Sequence, residues 1–534
     1  MHWTQYLLRA AVSASILAGN AGMLLSGKRS PLEVSAALRK QFAIAAKFKN
    51  AKYVRAGGQI FLDPFAPSVP GPAFNLALEN NCRRTYPHQP IYGQLAVTNL
   101  CPCRCVHCHV VNLQSGDLPL PLLLRAVEDL SGFGVPLLFF VGGEPFQRFD
   151  DLVTLVEAAT PSMETRIFTS GVGASEERLR RLHTAGLQGI YVSLDHHLEA
   201  EHNRRRGNTR AFASACETIT LARKLGFYVS VVCCVTRSTV ANGDVFAVVD
   251  LAERLGGHSI QLNEIRPVGR ATESPSDFAL DGQTKEVLID FYRRQNASRR
   301  PISIAMPWYN EEPDKFGCTA TAGQKLYIDA RGNVLPCELL KLGFGNLTEE
   351  PLPLIWERMR RPCRHAVNRC VVHDVAPTLA SARELPLCRA ESERLWPGLC
   401  ALPPSDLAAR FDKDLRPAWD VAGSPLSWRG YRLDLTPGRD FRLCEGHWLP
   451  RKLGLSYLTW GRTLYAGAKT AVVPTHEYLH LAQFHRYGKL RVFAHYLLHI
   501  FRGLLGGKNL AGACIAIPFE VEARAFEQSR EQRG

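Results

Sequence analysis

Residues 91–108 read IYGQLAVTNLCPCRCVHC, an apolar run that ends in a cysteine-rich turn. Five more strand-like apolar runs follow along the chain, at 136–141, 165–170, 189–194, 228–235 and 259–264. Helical patterns lie between them, at 122–130, 150–159, 176–186, 212–226 and 245–257. Strands that alternate with helices predict parallel strands joined by crossover helices. Six such units predict an α/β fold, an open partial (β/α)6 barrel with ligands at the carboxyl ends of its strands.

The length and composition of the chain indicate a soluble protein of several domains. It has 534 residues, which is too long for one ordinary core. Its apolar content of 46% and charged content of 21% are typical of globular proteins. The net charge of +14 is a mild excess, suited to a solvated basic surface, an anionic substrate or a membrane surface. The sequence offers no basic patch interleaved with aromatic residues, so we expect no nucleic acid partner.

Four segments are predicted around this array. Residues 1–88 form a prefix of helices followed by a Pro/Gly-rich extended connection at 63–74, and residues 89–300 form the barrel. Residues 301–400 are a small cysteine-organised domain, and residues 401–534 a mainly helical one. The apolar stretch 10–25 is rich in small residues and short for a membrane span. We expect it to be a helix packed on the protein, and we expect a cytoplasmic location.

Three cysteines after the first strand have the spacing of an iron–sulfur site. Cys101, Cys105 and Cys108 form C-x3-C-x2-C on one turn. Three thiolates can hold three irons of a [4Fe-4S] cluster and leave the fourth iron open, as cofactor binding requires. Cys103 lies inside the same loop and offers an alternative ligand register. A structural zinc site or a set of buried thiols is the simpler alternative.

This loop resembles that of the radical S-adenosylmethionine (SAM) superfamily. The motifs VGGEP (141–145), VSLDH (192–196), EHNRRRG (201–207) and RPVGRA (266–271) strengthen the resemblance, whereas His107 stands where the family usually has an aromatic residue. The resemblance implies that the reduced cluster cleaves SAM to a 5′-deoxyadenosyl radical, with a flavodoxin or ferredoxin as electron donor. It implies that SAM contacts come from a set of residues at the strand ends: Gly142, Gly143, Glu144, Thr169, Ser170, Ser193, Asp195 and Arg206. Within it, Glu144 would contact the ammonium and Arg206 the carboxylate of SAM.

A second cysteine pattern lies downstream of the barrel. Cys318, Gly332 and Cys337 form C-x13-G-x4-C, and the turn DARGN (329–333) predicts a hairpin. The pattern resembles the opening of the SPASM extension, which carries auxiliary [4Fe-4S] clusters in enzymes that often modify peptides. The later cysteines depart from that family. We predict one auxiliary cluster held by Cys318, Cys337, Cys370 and either His373 or Cys388. A domain without a cluster and a mixed Cys/His zinc site remain alternatives.

A third pattern, HEYLH at 476–480, lies near the end of the sequence. His476 and His480 share one helix face and can bind one Zn²⁺, with Glu477 beside the bound water as catalytic general base. Glu520 is the predicted third ligand, with Glu522 as the alternative. The segment resembles gluzincin-type metallopeptidase domains. The alternative hypothesis is that these histidines bind no zinc and only pack or form hydrogen bonds.

Together these patterns predict a maturase that modifies a peptide or peptide-like natural product. Two other functions stay open. One is a radical SAM enzyme for a small molecule or lipid, with the C-terminal domain as a binding module and with peripheral membrane contact. The other is a zinc metallopeptidase whose cluster stabilises a scaffold.

The zinc site can be tested by metal analysis of the purified full-length protein. We expect one zinc per chain, lost in His476→Ala and His480→Ala because each removes a ligand. Glu477→Gln should retain zinc and abolish any hydrolysis, since Glu477 acts on the water rather than the metal. Wild-type protein without stoichiometric zinc after zinc supplementation would show that the histidines have a packing role.

Overall fold

The computed structural model describes residues 3–26, 31–81, 85–86, 90–110, 116–363 and 365–411, and six short strands between 416 and 466. His476, Glu477, His480, Glu520 and Glu522 lie outside the described residues, so the zinc site stays a prediction. The chain divides into two compact units. The first comprises residues 1–20 and 35–416, and the second comprises 21–34 and 417–534. The predicted prefix, barrel and cysteine-rich segment therefore belong to one unit, apart from residues 21–34.

The described strands are β1 (Val54–Ala56), β2 (Gln59–Phe61), β3 (Thr85–Tyr86), β4 (Tyr92–Thr98), β5 (Leu137–Gly142), β6 (Glu164–Thr169), β7 (Gly189–Ser193), β8 (Tyr228–Val235), β9 (Ser259–Glu264), β10 (Ser303–Ala305), β11 (Lys325–Ile328), β12 (Val334–Leu335), β13 (Arg416–Pro417), β14 (Ser427–Trp428), β15 (Tyr431–Arg432), β16 (Arg442–Cys444), β17 (Tyr457–Trp460) and β18 (Thr463–Ala466). The described helices are α1 (Trp3–Leu25), α2 (Pro31–Lys47), α3 (Pro72–Asn81), α4 (Leu120–Gly132), α5 (Phe149–Ala159), α6 (Glu176–Thr184), α7 (Glu199–Arg206), α8 (Ala211–Lys224), α9 (Arg237–Ala241), α10 (Asp244–Arg254), α11 (Pro275–Phe278), α12 (Gly282–Ala297), α13 (Pro307–Asn310), α14 (Leu352–Arg360), α15 (Val372–Ser381), α16 (Arg389–Cys400) and α17 (Asp406–Phe411).

A nine-stranded sheet in the order β10-β9-β8-β7-β6-β5-β4-β11-β12 forms the centre of the first unit. Strands β4 to β9 pair in parallel, each with the next in sequence. They match the six predicted runs to within one residue, which confirms the α/β fold with a parallel sheet. The sequence did not reveal β10 and β11, which pair in parallel with β9 and β4 at the two ends of this six-stranded set. Both are only three or four residues long, too short for a periodic signal.

Alternate side chains of the strands enter two different cores. On β5, Leu138 and Phe140 pack with the apolar faces of the surrounding helices. Leu137 and Phe139 instead join Tyr191 and other aromatic side chains in a separate cluster. A strand buried on both faces reads as a continuous apolar run, as LLFFV of β5 does.

The prediction that the Pro/Gly-rich residues 63–74 form an extended connection is partly wrong. The segment overlaps α3, which begins at Pro72, where the fixed φ of proline suits the first turn of a helix. The buried side chains of Phe74 and Leu78 then hold α3 on the protein. The antiparallel hairpin of β1 and β2 precedes the connection and was also not predicted.

The N-terminal apolar stretch forms α1, which extends from Trp3 to Leu25. By length and composition, α1 is long and apolar enough to cross a membrane. Val12 and Ile16 are nevertheless buried against the protein, and Asn20 donates a 2.7 Å hydrogen bond to Gln41 of α2. Only 22% of its most apolar window is buried, and the other residues of that window are half-buried or exposed.

A buried arginine connects the sheet to the N-terminal prefix. Arg166 of β6 donates to the carboxylate of Glu164 at 3.0 Å and to the hydroxyl of Tyr191 at 2.8 Å. It also donates to the carbonyl oxygens of Pro64 and Ala66 at 2.6 and 2.7 Å. These bonds fix the connection that follows β2 to the sheet, since nearly every donor of the guanidinium is used.

Arg166→Met should lower the free energy of unfolding by about 3–5 kcal/mol, because it leaves the Glu164 carboxylate buried without its cation. The control is Arg181→Met, which breaks an exposed ion pair with Asp150 and should cost about 1 kcal/mol or less. Thermal unfolding of the two variants measures the difference. Equal melting temperatures would show that Arg166 does not stabilise the junction.

Candidate active site

The cysteine loop, residues 99–110, leaves the carboxyl end of β4 without regular secondary structure of its own. The amide of Arg104 donates to the carbonyl of Arg206 at 2.8 Å, and Val106 donates to Arg205 at 3.0 Å. Further along, the carbonyl of Cys108 accepts from the amide of Arg270 at 3.0 Å. The loop is thus fixed by backbone hydrogen bonds to the end of α7 and to the segment after β9.

Two glycines allow these close contacts. Gly207 has φ +59°, and a Cβ there would lie 2.9 Å from the carbonyl oxygen of Arg104. Gly269 has φ +62°, and a Cβ there would lie 2.3 Å from the carbonyl oxygen of Cys108. Gly207 ends the motif EHNRRRG and Gly269 lies within RPVGRA, two motifs that carry the family resemblance. Their role here is to support the backbone of the cysteine loop.

The glycine pair after β5 also serves a backbone contact. Gly142 has φ +134°, and a Cβ on it would lie 2.3 Å from the carbonyl oxygen of Thr98. A Cβ on Gly143 would lie 2.3 Å from the carbonyl oxygen of Leu100. Both glycines therefore let the end of β5 approach the start of the cysteine loop. Their predicted approach to SAM stays a prediction.

Glu144 joins the ends of two neighbouring strands. Its buried carboxylate accepts from the hydroxyl of Thr169 at 2.7 Å and from the amide and hydroxyl of Ser170 at 2.7 and 2.6 Å. Burial raises the pKa of Glu144, and these donors act in the opposite direction. In this arrangement, the carboxylate positions Thr169 and Ser170. A contact with an ammonium group would add to these bonds.

Arg206 lies at the centre of a charged group beside the loop. Its guanidinium pairs with Asp195 at 2.7 Å and donates to the thiol of Cys105 at 3.7 Å. Burial alone would raise the pKa of Asp195, but Arg206 together with His107, His202 and the amide of Cys234 outweighs it and holds that pKa at about 2. His107 lies 3.6 Å from the same carboxylate, and burial lowers the pKa of His107 to about 4. Asp195 therefore acts here as the partner of Arg206, whose predicted contact with a carboxylate of SAM remains a prediction.

The cysteine loop faces a cavity of about 600 Å³. Many of the predicted residues line it: Cys101, Cys105, Cys108, Gly142, Gly143, Thr169, Ser170, Ser193 and Arg206. Cys103 lines it as well. The structure therefore brings most of the predicted cofactor residues to one chamber at the carboxyl ends of the strands, while Asp195 and Glu144 support it from behind.

Other polar groups in the cavity were not predicted. Lys325 of β11 lies 3.3 Å from the carboxylate of Glu338, and both line the chamber. Burial alone would raise the pKa of Glu338, but Lys325, a backbone hydrogen bond, His109 and Cys337 together lower it below its usual value. Asp63 also lines the cavity, and burial raises its pKa to about 6. These residues come from segments without a recognisable motif, so only the three-dimensional arrangement reveals them.

The predicted ligands of the auxiliary cluster occupy different environments. Cys318 and Cys337 are buried on either side of the β11–β12 hairpin, and the turn at Gly332 confirms that hairpin. Burial, then Glu311 and the thiol of Cys318, raise the pKa of Cys370 well above its usual value. Cys318 and Cys370 are therefore neighbours.

The two candidates for the fourth ligand both have protein partners. Cys388 is exposed at the start of α16, where its thiol contacts Glu391. His373 Nε2 lies 2.6 Å from the guanidinium of Arg266, so it accepts from that group. The choice between them, and the cluster itself, remain predictions.

Cys363 and Cys400 form a disulfide in the structure, with Cα atoms 4.9 Å apart. Neither cysteine was predicted to pair with another cysteine. The pair joins the segment after α14 to the end of α16.

The described residues fit a [4Fe-4S] cluster at the cysteine loop. Cys101, Cys105 and Cys108 are free thiols on one short segment that faces the cavity. The guanidinium of Arg206 beside Cys105 compensates part of the negative charge that three thiolates would bring. The volume of about 600 Å³ leaves room for a cofactor beside the cysteine loop.

Comparison with known protein families agrees with this site. Residues 95–254 match the model of the radical SAM superfamily, and residues 318–388 match the SPASM iron–sulfur cluster-binding domain. The chain is 26% identical to an AdoMet-dependent heme synthase of Methanosarcina barkeri, over 48% of this chain and 79% of the relative. It is 25% identical to a PqqA peptide cyclase of Methylorubrum extorquens, over 55% of this chain and 84% of the relative.

Solved structures with a similar arrangement include SuiB of Streptococcus suis bound to its precursor peptide SuiA. That likeness has 16% identity and a TM-score of 0.45, and covers 59% of this chain and 76% of the other. A second is anSMEcpe with bound AdoMet and a peptide, at 15% identity and a TM-score of 0.40, covering 61% and 96%.

Gly207→Ala should reduce the iron and sulfide bound per chain by up to one cluster, about four irons, because the new Cβ displaces the backbone of Arg104 in the cysteine loop. Gly243→Ala is the matched control. Gly243 also has a positive φ, +83°, but a Cβ there meets no atom within 4 Å. Both variants carry the same kind of backbone strain, so only the contact with the loop differs. Equal iron content in the two variants would contradict this role of Gly207.

Proposed function

We propose that this chain, a radical SAM enzyme with a SPASM iron–sulfur domain, matures a peptide or peptide-like natural product in the cytoplasm. One observation carries the proposal. The cysteine loop opens into a 600 Å³ cavity whose other walls come from the prefix, residues 12–80, and from the segment 301–411. A chamber of this size takes a group much larger than a few atoms beside the cofactor. The similarity to PqqA peptide cyclases supports a peptide as that group.

The residues of the chain would divide the chemical work among them. Cys101, Cys105 and Cys108 would hold three irons, and the cluster with SAM would supply a radical that removes a hydrogen atom from carbon. Lys325 and Glu338 offer a cation and a carboxylate in the wall of the cavity, where they would orient polar groups of the substrate. Asp63 would accept a proton, since a carboxyl group with a pKa of about 6 is ionised at neutral pH.

The reaction needs an electron from outside the chain. We propose a flavodoxin or a ferredoxin as the donor. Arg104 and Val106 of the cysteine loop are exposed, and the exposed Arg204 lies on the neighbouring α7. Arg204 is paired with Glu201, so Arg104 is the cation of this surface that would meet an acidic electron carrier.

A small molecule or lipid substrate is the second candidate. The prefix contributes an apolar wall to the cavity through side chains such as Val12, Ile16, Phe48, Phe74 and Leu78. The similarity to AdoMet-dependent heme synthases favours the same alternative. A fused zinc peptidase domain, if present, would trim or bind the product of either reaction.

Anaerobically reconstituted and reduced protein should convert SAM to 5′-deoxyadenosine. Cys101→Ala, Cys105→Ala and Cys108→Ala should each abolish the product, because the cluster loses a ligand, whereas Cys103→Ala should retain it. Equal loss in Cys103→Ala would show that the ligand register is wrong.

A variant lacking Cys101, Cys105 and Cys108 together should still hold about four irons if the auxiliary cluster exists.

The substrate class is tested separately with a short peptide encoded beside this chain. Incubation with deuterated peptide should transfer deuterium to 5′-deoxyadenosine and change the mass of the peptide. Transfer from a small molecule in place of the peptide would establish the second candidate. SAM cleavage without transfer from the peptide would contradict the peptide assignment and leave the enzyme class intact.

A further inference from the structure

The exposed apolar side chains of the protein are concentrated at its N-terminal helices. Seven of the twelve large apolar side chains that are exposed among the described residues lie on α1 and α2. Four of them belong to the part of α1 in the first unit: Trp3, Tyr6, Leu7 and Leu17, which are 71%, 56%, 54% and 50% exposed. Isolated apolar residues on a surface are ordinary, but a concentration on one element indicates an interaction site.

These side chains form a continuous face of the helix. Trp3, Leu7, Ala10, Ala14 and Leu17 follow the spacing of four, three, four and three residues, which places them along one side. All five are exposed. We call this side the apolar stripe of α1.

The single charge of α1 is half-buried and bonded to the protein. Arg9 is the only charged residue between Trp3 and Leu25. Its guanidinium donates to the carbonyl oxygens of Lys49 and Ala51 at 3.0 and 2.6 Å and lies over the ring of Tyr53. The apolar stripe is therefore free of charge.

Polar contacts hold the opposite side of α1 on the protein. Gln5 and Tyr53 exchange two hydrogen bonds of 2.9 Å, and Asn20 bonds Gln41. Val12 and Ile16 are buried between these contacts and line the cavity. A helix that crossed a membrane would have to give up these bonds and uncover the cavity wall. The geometry instead suits a helix that lies flat in an interface.

The surrounding sequence is strongly basic. Residues 1–55 contain nine Lys or Arg and one acidic residue, Glu33, so this tenth of the chain carries +8 of the net charge of +14. Arg39 and Lys49 are exposed on and just after α2. Anionic lipid head groups attract basic residues next to an inserted apolar face.

We propose that the apolar stripe of α1 docks the enzyme on the surface of an anionic lipid bilayer. The charge of the prefix selects an anionic surface, and Trp3, Leu7 and Leu17 insert below the head groups. The inner side of the same helix stays on the protein as part of the cavity wall. This attachment does not depend on which substrate the enzyme modifies.

Sedimentation of the reconstituted full-length protein with sucrose-loaded vesicles tests the proposal. We expect binding to vesicles of phosphatidylcholine with 30% phosphatidylglycerol, and much weaker binding to phosphatidylcholine alone. Salt at 0.5 M should reduce the binding, since exposed charges are screened. Alkaline carbonate should release the bound protein, as for a peripheral contact.

The deciding variant is Leu7→Glu with Leu17→Glu, which places two charges on the stripe. It should lower the vesicle partition coefficient by roughly tenfold or more, since each buried apolar side chain contributes to insertion. The matched control is Val287→Glu with Leu354→Glu, two residues that are 41% and 48% exposed on α12 and α14. All four positions are exposed, so both variants should fold and cleave SAM as the wild type does.

Four results would overturn the proposal. One is equal vesicle binding by the two double variants, and another is no binding of the wild type to either kind of vesicle. The third is a wild-type dimer that the α1 variant dissociates, without vesicle binding, which would assign the stripe to a second copy of the chain. Resistance to carbonate extraction would show that α1 spans the bilayer.

Discussion

The site depends on the backbone hydrogen bonds that hold the cysteine loop. A loop of twelve residues must present three thiols to one metal centre, although it contains neither helix nor strand. The carbonyls of Arg205 and Arg206 on one side and the amide of Arg270 on the other replace the missing secondary structure. Such contacts require backbone atoms to approach within hydrogen-bonding distance, and only glycine at positions 207 and 269 allows it. The strand ends, the charged pair of Arg206 and Asp195 and the cavity are all arranged around this fixed segment.

The barrel was largely predictable because its signals are local. Strands β4 to β9 are apolar runs separated by amphipathic helices, and both patterns can be read from neighbouring residues. The three cysteines and the glycine pair after β5 are likewise short motifs, and their placement in one cavity follows from the parallel order of the strands.

The other features depend on contacts that are distant in sequence. The pairing of β11 with β4 joins residues more than 200 positions apart, and β11 itself is too short to show a pattern. Glu144 is predicted to contact the ammonium of SAM, and its oxygens also accept from Thr169 and Ser170, which no spacing rule reveals. Asp63 lies in a Pro/Gly-rich stretch that the sequence presents as a simple connection, and its position in the cavity follows from the bonds of Arg166 to that stretch.

The position of α1 and α2 changes what counts as the catalytic module. The family match begins at residue 95, yet the wall of the cavity begins at Val12. A chain shortened to the matched domains would keep every cysteine of the loop and lose one side of the reaction chamber. The radical would then be generated in a cavity open to water. Solvent and buffer molecules would compete with the substrate for the radical. The minimal enzyme therefore includes the N-terminal residues that close the cavity, although they lie outside the matched domains.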